Sequence, residues 1–206
     1  MDDRHEALVF DFDGVLADTE PLHWISWAAV LARYGTDLTW DEYRRIGCGV
    51  DDAHIWAAFA GRVPALDAAE FARQNEERKQ MVGAWSLRES PIAPKTVELL
   101  ASLGAYRLGL VTNSGRAEVE PVLRAAGVYE RFNGLVFGED VGAPKPAPDP
   151  YLLVAQKLGV KTGVAFEDSE TGCASALAAG FRPIPVRRPG ELAEIVMRYL
   201  RESDAS

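Results

Sequence analysis

From Lys95 onward the sequence switches repeatedly between helical stretches and short apolar runs, and this alternation constrains the fold more than any other feature. Lys95 to Leu103 reads as helix and Arg107 to Thr112 as strand; Arg116 to Ala126 reads as helix stopped by Gly127, and Gly134 to Phe137 as a short strand. Asp149 to Leu158 (helix), Gly163 to Phe166 (strand), Glu170 to Ala179 (helix), Arg182 to Val186 (strand) and Glu191 to Leu200 (helix) continue the series. A helix between successive strands carries the chain back so that the strands pair in parallel, with both sheet faces covered. Ala7 to Phe10 supplies one more strand, an unbroken apolar run of the kind buried on both faces, ending abruptly at Asp11.

Between that first strand and Pro91 no strand pattern occurs. Asp18, Thr19, Glu20 and Pro21 form a helix start, Leu22, Ile25, Ala29 and Ala32 follow at helical spacing, and Gly35 is a stop. Trp40 to Ile46, Asp52 to Phe59 and Asp67 to Val82 read as further helices. The expected fold is α/β: a doubly wound parallel-sheet core of residues 1–17 and 87–206, opened after its first strand by an all-helical domain of residues 18–86. The hinges fall at Ala17 to Pro21 and Gly83 to Pro94, and Arg201 to Ser206 is expected to fray. All five tryptophans (Trp24, Trp27, Trp40, Trp56, Trp85) lie in the insert, either filling a small helical core or forming a wall that faces a substrate.

Composition narrows the function. The 206 residues are 48% hydrophobic and 26% charged, which excludes a disordered, collagen-like or coiled-coil chain. With 22 Lys plus Arg against 31 Asp plus Glu, the net charge of −9 repels polyanions, so nucleic acid and anionic membranes are not expected partners. No stretch approaches the about 20 apolar residues that span a bilayer. Cys48 and Cys173 are far apart and suggest no disulfide framework, so a cytoplasmic protein, monomeric or weakly dimeric, is expected.

Polar residues gather just after the strand ends: Asp11 and Asp13 after the first, Thr112, Asn113 and Ser114 after the next, Glu167, Asp168 and Ser169 after a later one. In open parallel sheets ligands bind at those ends, and Lys145 lies in a loop able to bring a cation there. Each cluster alone could be helix caps or turn residues; together they describe a site. Carboxylates crowded in this way need a cation, and oxygen donors without His or Cys favour Mg²⁺ over zinc. A lysine and hydroxyl or amide donors beside Mg²⁺ suit a phosphate.

These residues resemble the haloacid dehalogenase superfamily, in its phosphatase and phosphomutase branch with a helical cap. Asp11 to Glu20 (DFDGVLADTE), Val111 to Gly115 (VTNSG), Lys145 to Tyr151 (KPAPDPY) and Glu167 to Gly172 (EDSETG) match its four motifs in order. The resemblance implies a Rossmann-like core and gives Asp11 as nucleophile, forming an aspartyl-phosphate, and Asp13 as general acid and base. It further implies Mg²⁺ held by Asp11, the Asp13 carbonyl and Asp168 with Glu167 beside them, phosphoryl oxygens bound by Thr112 and Asn113, and their charge balanced by Lys145. Gly14 is expected to let the backbone approach the phosphate. Dehalogenases and phosphonatases of the superfamily lack an aspartate at the position of Asp13, so phosphoryl transfer is implied.

Within the branch the cap resembles that of beta-phosphoglucomutase and its phosphatase relatives, with His23 where those mutases carry a cap histidine. Asp52 and Gln74 stand where mutases resemble one another in having an arginine and a lysine for a distal phosphate, and without those cations a bisphosphate is poorly held. Arg44, Arg45 or Lys79 could substitute. The expected activity is therefore Mg²⁺-dependent hydrolysis of a small phosphorylated metabolite, a sugar or polyol phosphate, with sugar phosphomutase as the alternative. His23, Trp24, Trp27, Asp52 and Gln74 are the expected substrate-reading residues. A non-catalytic relative would have lost Asp11, Asp13 or Lys145, and dinucleotide binding fails because Gly47 and Gly49 lack a third glycine and a preceding strand.

Overall fold

The computed structural model describes residues 7–47, 52–59, 63 and 67–204. In chain order the elements are β1 (Ala7–Phe10), α1 (Glu20–Ala32), α2 (Trp40–Ile46), α3 (Asp52–Phe59), α4 (Ala68–Arg88), α5 (Pro94–Ser102), β2 (Arg107–Val111), α6 (Arg116–Ala125), β3 (Gly134–Val136), α7 (Asp149–Leu158), β4 (Gly163–Glu167), α8 (Glu170–Ala178), β5 (Arg182–Pro185) and α9 (Leu192–Asp204). They divide into two compact units, Thr19–Glu89 and the remainder of the chain; the sequence placed the insert at 18–86.

The α/β unit holds a five-stranded parallel sheet ordered β3-β2-β1-β4-β5. β1 is the centre, with Ala7 opposite both Arg107 and Gly163. Its four residues are fully buried because they alternate between two cores. Leu8 and Phe10 join Leu99, Leu123 and Val196 on one face, whereas Ala7 and Val9 join Tyr151, Val154 and Phe181 on the other. That two-sided burial is why the run is apolar without alternation. Pro183 and Pro185 are accommodated because β5 is an edge strand. The strand order reverses direction between β1 and β4, the position at which open α/β sheets leave a crevice for ligands.

Two helices run further than expected. α4 passes through Gly83, at a cost of about 1 kcal/mol for an interior glycine, and stops only at the extended Glu89. α9 reaches Asp204 rather than fraying from Arg201, because Leu192, Val196 and Tyr199 anchor one face of it in the core.

In the helical unit, Trp27, Val30, Leu31, Tyr43, Ile55, Phe59 and Phe71 form the core, with Trp24, Trp40 and Trp56 packed on it. Trp27 stacks on Phe71 under the Arg78 guanidinium, so its ring serves packing. Trp85 is half-buried. No helix among the described residues is long and apolar enough to cross a membrane. Cys173 is a free thiol, and Cys48 lies outside the described residues.

Leu123, fully buried on α6, tests the core. Leu123→Ala should lower the unfolding free energy by about 2–5 kcal/mol in urea denaturation followed by circular dichroism. A loss under about 1 kcal/mol would contradict the packing described.

Candidate active site at the carboxyl ends of the strands

β1 delivers Asp11 to the crevice, and its N–H donates to the Phe166 carbonyl of β4, fixing the two strand ends together. The chain then folds back sharply: the Phe12 carbonyl accepts from Leu16 and Ala17, and the Gly14 N–H donates to Ala17. Gly14 has φ +71°, a conformation that only glycine adopts without strain. A Cβ built there would overlap Oδ2 of Asp168. The glycine that the sequence assigned to a close approach by phosphate therefore makes room for an acidic side chain.

Lys145 closes the site from the loop before α7. Its side chain is buried, and Nζ lies 2.9 Å from Asp11 Oδ1, 2.9 Å from the Val111 carbonyl and 2.6 Å from Glu167 Oε1. An ammonium has three N–H groups, so all three are engaged, at the ends of β1, β2 and β4. Burial alone would lower the Lys145 pKa, but Asp11 and Glu167 raise it above its ordinary value. Burial pushes the Asp11 carboxyl up to about 7, against the pull of Lys145 and helped by Glu167 and Asp13. Burial also raises Glu167, again opposed by Lys145.

Asp13 is placed differently. Ser114 Oγ donates to its Oδ2 at 2.6 Å, a contact that reading Ser114 as a generic strand-end hydroxyl did not anticipate. Thr112 is buried and its Oγ1 accepts from the Ser114 N–H, so the turn after β2 is held internally. The Asn113 amide spans the backbone of Lys145, accepting from its N–H and donating to its carbonyl. Asn113 thus positions the lysine loop.

Asp11, Glu167 and Asp168 bring one carboxylate oxygen each within 4.8 Å of one another. The Asp13 carboxylate is outside this group, in keeping with a part for its carbonyl only. All donors are hard oxygens, and Glu167 Oε2 is buried with no hydrogen-bond partner. A buried acceptor left unpaired is costly, so the group fits a divalent cation of the oxygen-preferring kind.

In the helical unit, His23 Nδ1 sits 2.9 Å from Arg78, Trp24 donates to the Leu38 carbonyl, and Asp52 opens α3. Gln74 is buried, with its amide bonded to Glu70 and Arg33. Trp27 and Gln74 are thus interior residues, which departs from the expectation that they read a substrate: one ring fills the core and one amide links α1 to α4. Arg78, which the sequence did not single out, is buried and bonded to Asn75, His23 and Ser26.

Residues 5–180 match the model of the haloacid dehalogenase-like hydrolases. A phosphorylated carbohydrates phosphatase of Thermotoga maritima is 35% identical over 87% of this chain and 83% of its own. The fructose-1-phosphate phosphatase YqaB of Escherichia coli is 32% identical over 91% and 99%. The crystal structure of CbbY from Rhodobacter sphaeroides in complex with xylulose-(1,5)bisphosphate superposes with a TM-score of 0.71, at 30% identity and 88% and 87% coverage. With its motifs in order, its acidic group at the strand ends and these relatives across most of its length, the chain belongs to the haloacid dehalogenase-like hydrolases.

Proposed function

We propose that this hydrolase is a Mg²⁺-dependent phosphatase of small phosphate monoesters, sugar or polyol phosphates, working through an aspartyl-phosphate on Asp11. The observation that carries the reading is the unequal treatment of two aspartates two residues apart. Asp11 is buried with one oxygen tied to Lys145, whereas Asp13 is half-buried with one oxygen held by Ser114. The first arrangement leaves Oδ2 of a fixed carboxylate to attack phosphorus; the second leaves an aimed but accessible carboxyl to move protons. The Thermotoga and Escherichia relatives, named for phosphorylated carbohydrates and fructose 1-phosphate, support the substrate class.

In this mechanism Asp11 Oδ2 attacks the phosphoryl group while Asp13 protonates the departing sugar oxygen. Asp13 then takes a proton from water, which hydrolyses the phosphoryl-Asp11 and returns the carboxylate. Lys145 holds Asp11 in place and offsets charge near the phosphoryl oxygens. Asp11, Glu167 and Asp168 would hold Mg²⁺, with the Asp13 carbonyl completing the protein's share. When bound, the ion offsets the repulsion between the Asp11 carboxylate and an incoming phosphate dianion. The strand-end residues contact only what every phosphate ester shares, so selectivity among leaving groups falls to side chains of the helical unit. Phosphomutase is the weaker reading, since Gln74 carries no charge and its amide is already engaged.

Hydrolysis of a panel of phosphorylated metabolites tests the class; glucose 1-phosphate given with a bisphosphate primer and converted to glucose 6-phosphate without phosphate release would favour the mutase. Asp11→Asn should abolish turnover with an unchanged circular dichroism spectrum, and residual activity of more than a few per cent would refute its nucleophilic role. Ser114→Ala loses a hydrogen bond to a charged group, about 1.5–3 kcal/mol. It should therefore slow alkyl phosphates about tenfold or more, and aryl phosphates less; equal slowing would remove Ser114 from the support of Asp13.

The raised Asp11 pKa gives a pH dependence with a definite sign. Below about 7 the metal-free carboxyl holds a proton that Mg²⁺ must displace. Apparent Mg²⁺ affinity should rise by about tenfold per pH unit up to neutrality and level off above it. Titration calorimetry in buffers of different ionisation enthalpy would show proton release at pH 6 and little at pH 8, and equal affinity at both would contradict the assignment.

A further inference from the structure

Tyr151 has no part in the chemistry above, yet its hydroxyl reaches the acidic group. It is the third residue of α7, fully buried, with its ring against Phe181 in the core beneath the sheet. Its hydroxyl donates to Glu167 Oε1. Lys145 donates to the same oxygen. Glu167 Oε2, equally buried, has no hydrogen-bond partner among the described residues.

That distribution is informative. Two donors brought only to neutralise a buried carboxylate would be expected to divide between its oxygens, since the second donor on one oxygen gains less than the first on a bare one. Here both fall on Oε1, and the chain also clears space around Oε2. A Cβ built on Gly172, in the first turn of α8, would overlap Oε2 and the carboxyl carbon of Glu167. With Oε1 fixed by a rigid phenol and a saturated ammonium, and Oε2 given room at Gly172, the carboxylate cannot rotate to exchange the two.

We infer that Tyr151 is a positioning residue, which together with Lys145 fixes Glu167 Oε1 so that Oε2 is reserved for a divalent cation or a water bound to it. The inference rests on the phosphatase reading only in requiring such a cation. A group that orients a metal-binding carboxylate typically sets metal affinity by about 10- to 100-fold. Tyr151 reaches this position because the loop Lys145–Tyr151 carries both donors, so that one segment of chain fixes both constraints on Glu167.

The test is Mg²⁺ binding to the intact protein by titration calorimetry, with wild type, Tyr151→Phe and Gly172→Ala compared at one pH. Tyr151→Phe keeps the ring and its packing, and is expected to raise the Mg²⁺ Kd by about 10- to 100-fold. Gly172→Ala keeps the hydroxyl but crowds Oε2, and is expected to raise Kd as well. Should Tyr151→Phe fail to fold, Tyr151→Met, which also lacks the hydroxyl, takes its place, and an unchanged Kd overturns the inference. A purely structural hydroxyl would lower the melting temperature of metal-free and Mg²⁺-loaded protein equally and leave Kd unchanged, which overturns the inference while wild-type binding stands. Absence of Mg²⁺ binding to the wild type would overturn the metal assignment itself.

Discussion

The Lys145 ammonium ties together three strand ends that otherwise repel or stay unsatisfied. Its protons go to Asp11 on β1, to the Val111 carbonyl on β2 and to Glu167 on β4, and none is left over. A buried charge is tolerated only when paired and hydrogen-bonded, and removing one partner from such an arrangement costs about 3–5 kcal/mol. Without this cation Asp11 and Glu167 would face each other, desolvated, with like charge. The ammonium therefore allows carboxylates to be concentrated at the crevice of the sheet before any ligand arrives, and it fixes which oxygen of each remains open. Asn113 belongs to the same arrangement, because its amide holds the backbone from which Lys145 projects.

The sheet was legible in the sequence because each of its central strands is buried on two faces. Ala7–Phe10 has no room for a polar residue until Asp11, and that abrupt change marks both the end of the strand and the start of the site. The same logic exposed Thr112 and Glu167. Side chains acting from within elements were not legible. Tyr151 closes the third motif, but nothing local says that its hydroxyl meets a carboxylate 16 residues later. Ser114 reads as a turn residue, since its partner Asp13 is 101 positions away. Gly14 was recognised as special for its backbone, but the atom that requires the missing side chain belongs to Asp168. Helix ends were missed where tertiary packing overrode local signals, as at Gly83 in α4 and beyond Arg201 in α9.

The two units use polar groups in contrasting ways. In the α/β unit charges converge and leave oxygens open toward a crevice. In the helical unit the described buried polar groups are bonded to neighbouring side chains: Arg78 donates to Asn75 and Ser26 and lies over Trp27, and Gln74 bridges Glu70 and Arg33. His23 Nδ1 lies 2.9 Å from the Arg78 guanidinium, within hydrogen-bond distance. Such bonding rigidifies a small core whose aromatic rings already fill it.

The proposed chemistry stands on covalent transfer to Asp11, and the most direct test is to catch the phosphoryl group on the protein. The wild-type protein, mixed with Mg²⁺ and a ³²P-labelled sugar phosphate and quenched in acid within the first turnover, should carry acid-stable, hydroxylamine-labile label on the peptide that contains Asp11. Release of labelled phosphate at a measurable rate with no label on the protein at any time would contradict the account and would indicate direct attack by water.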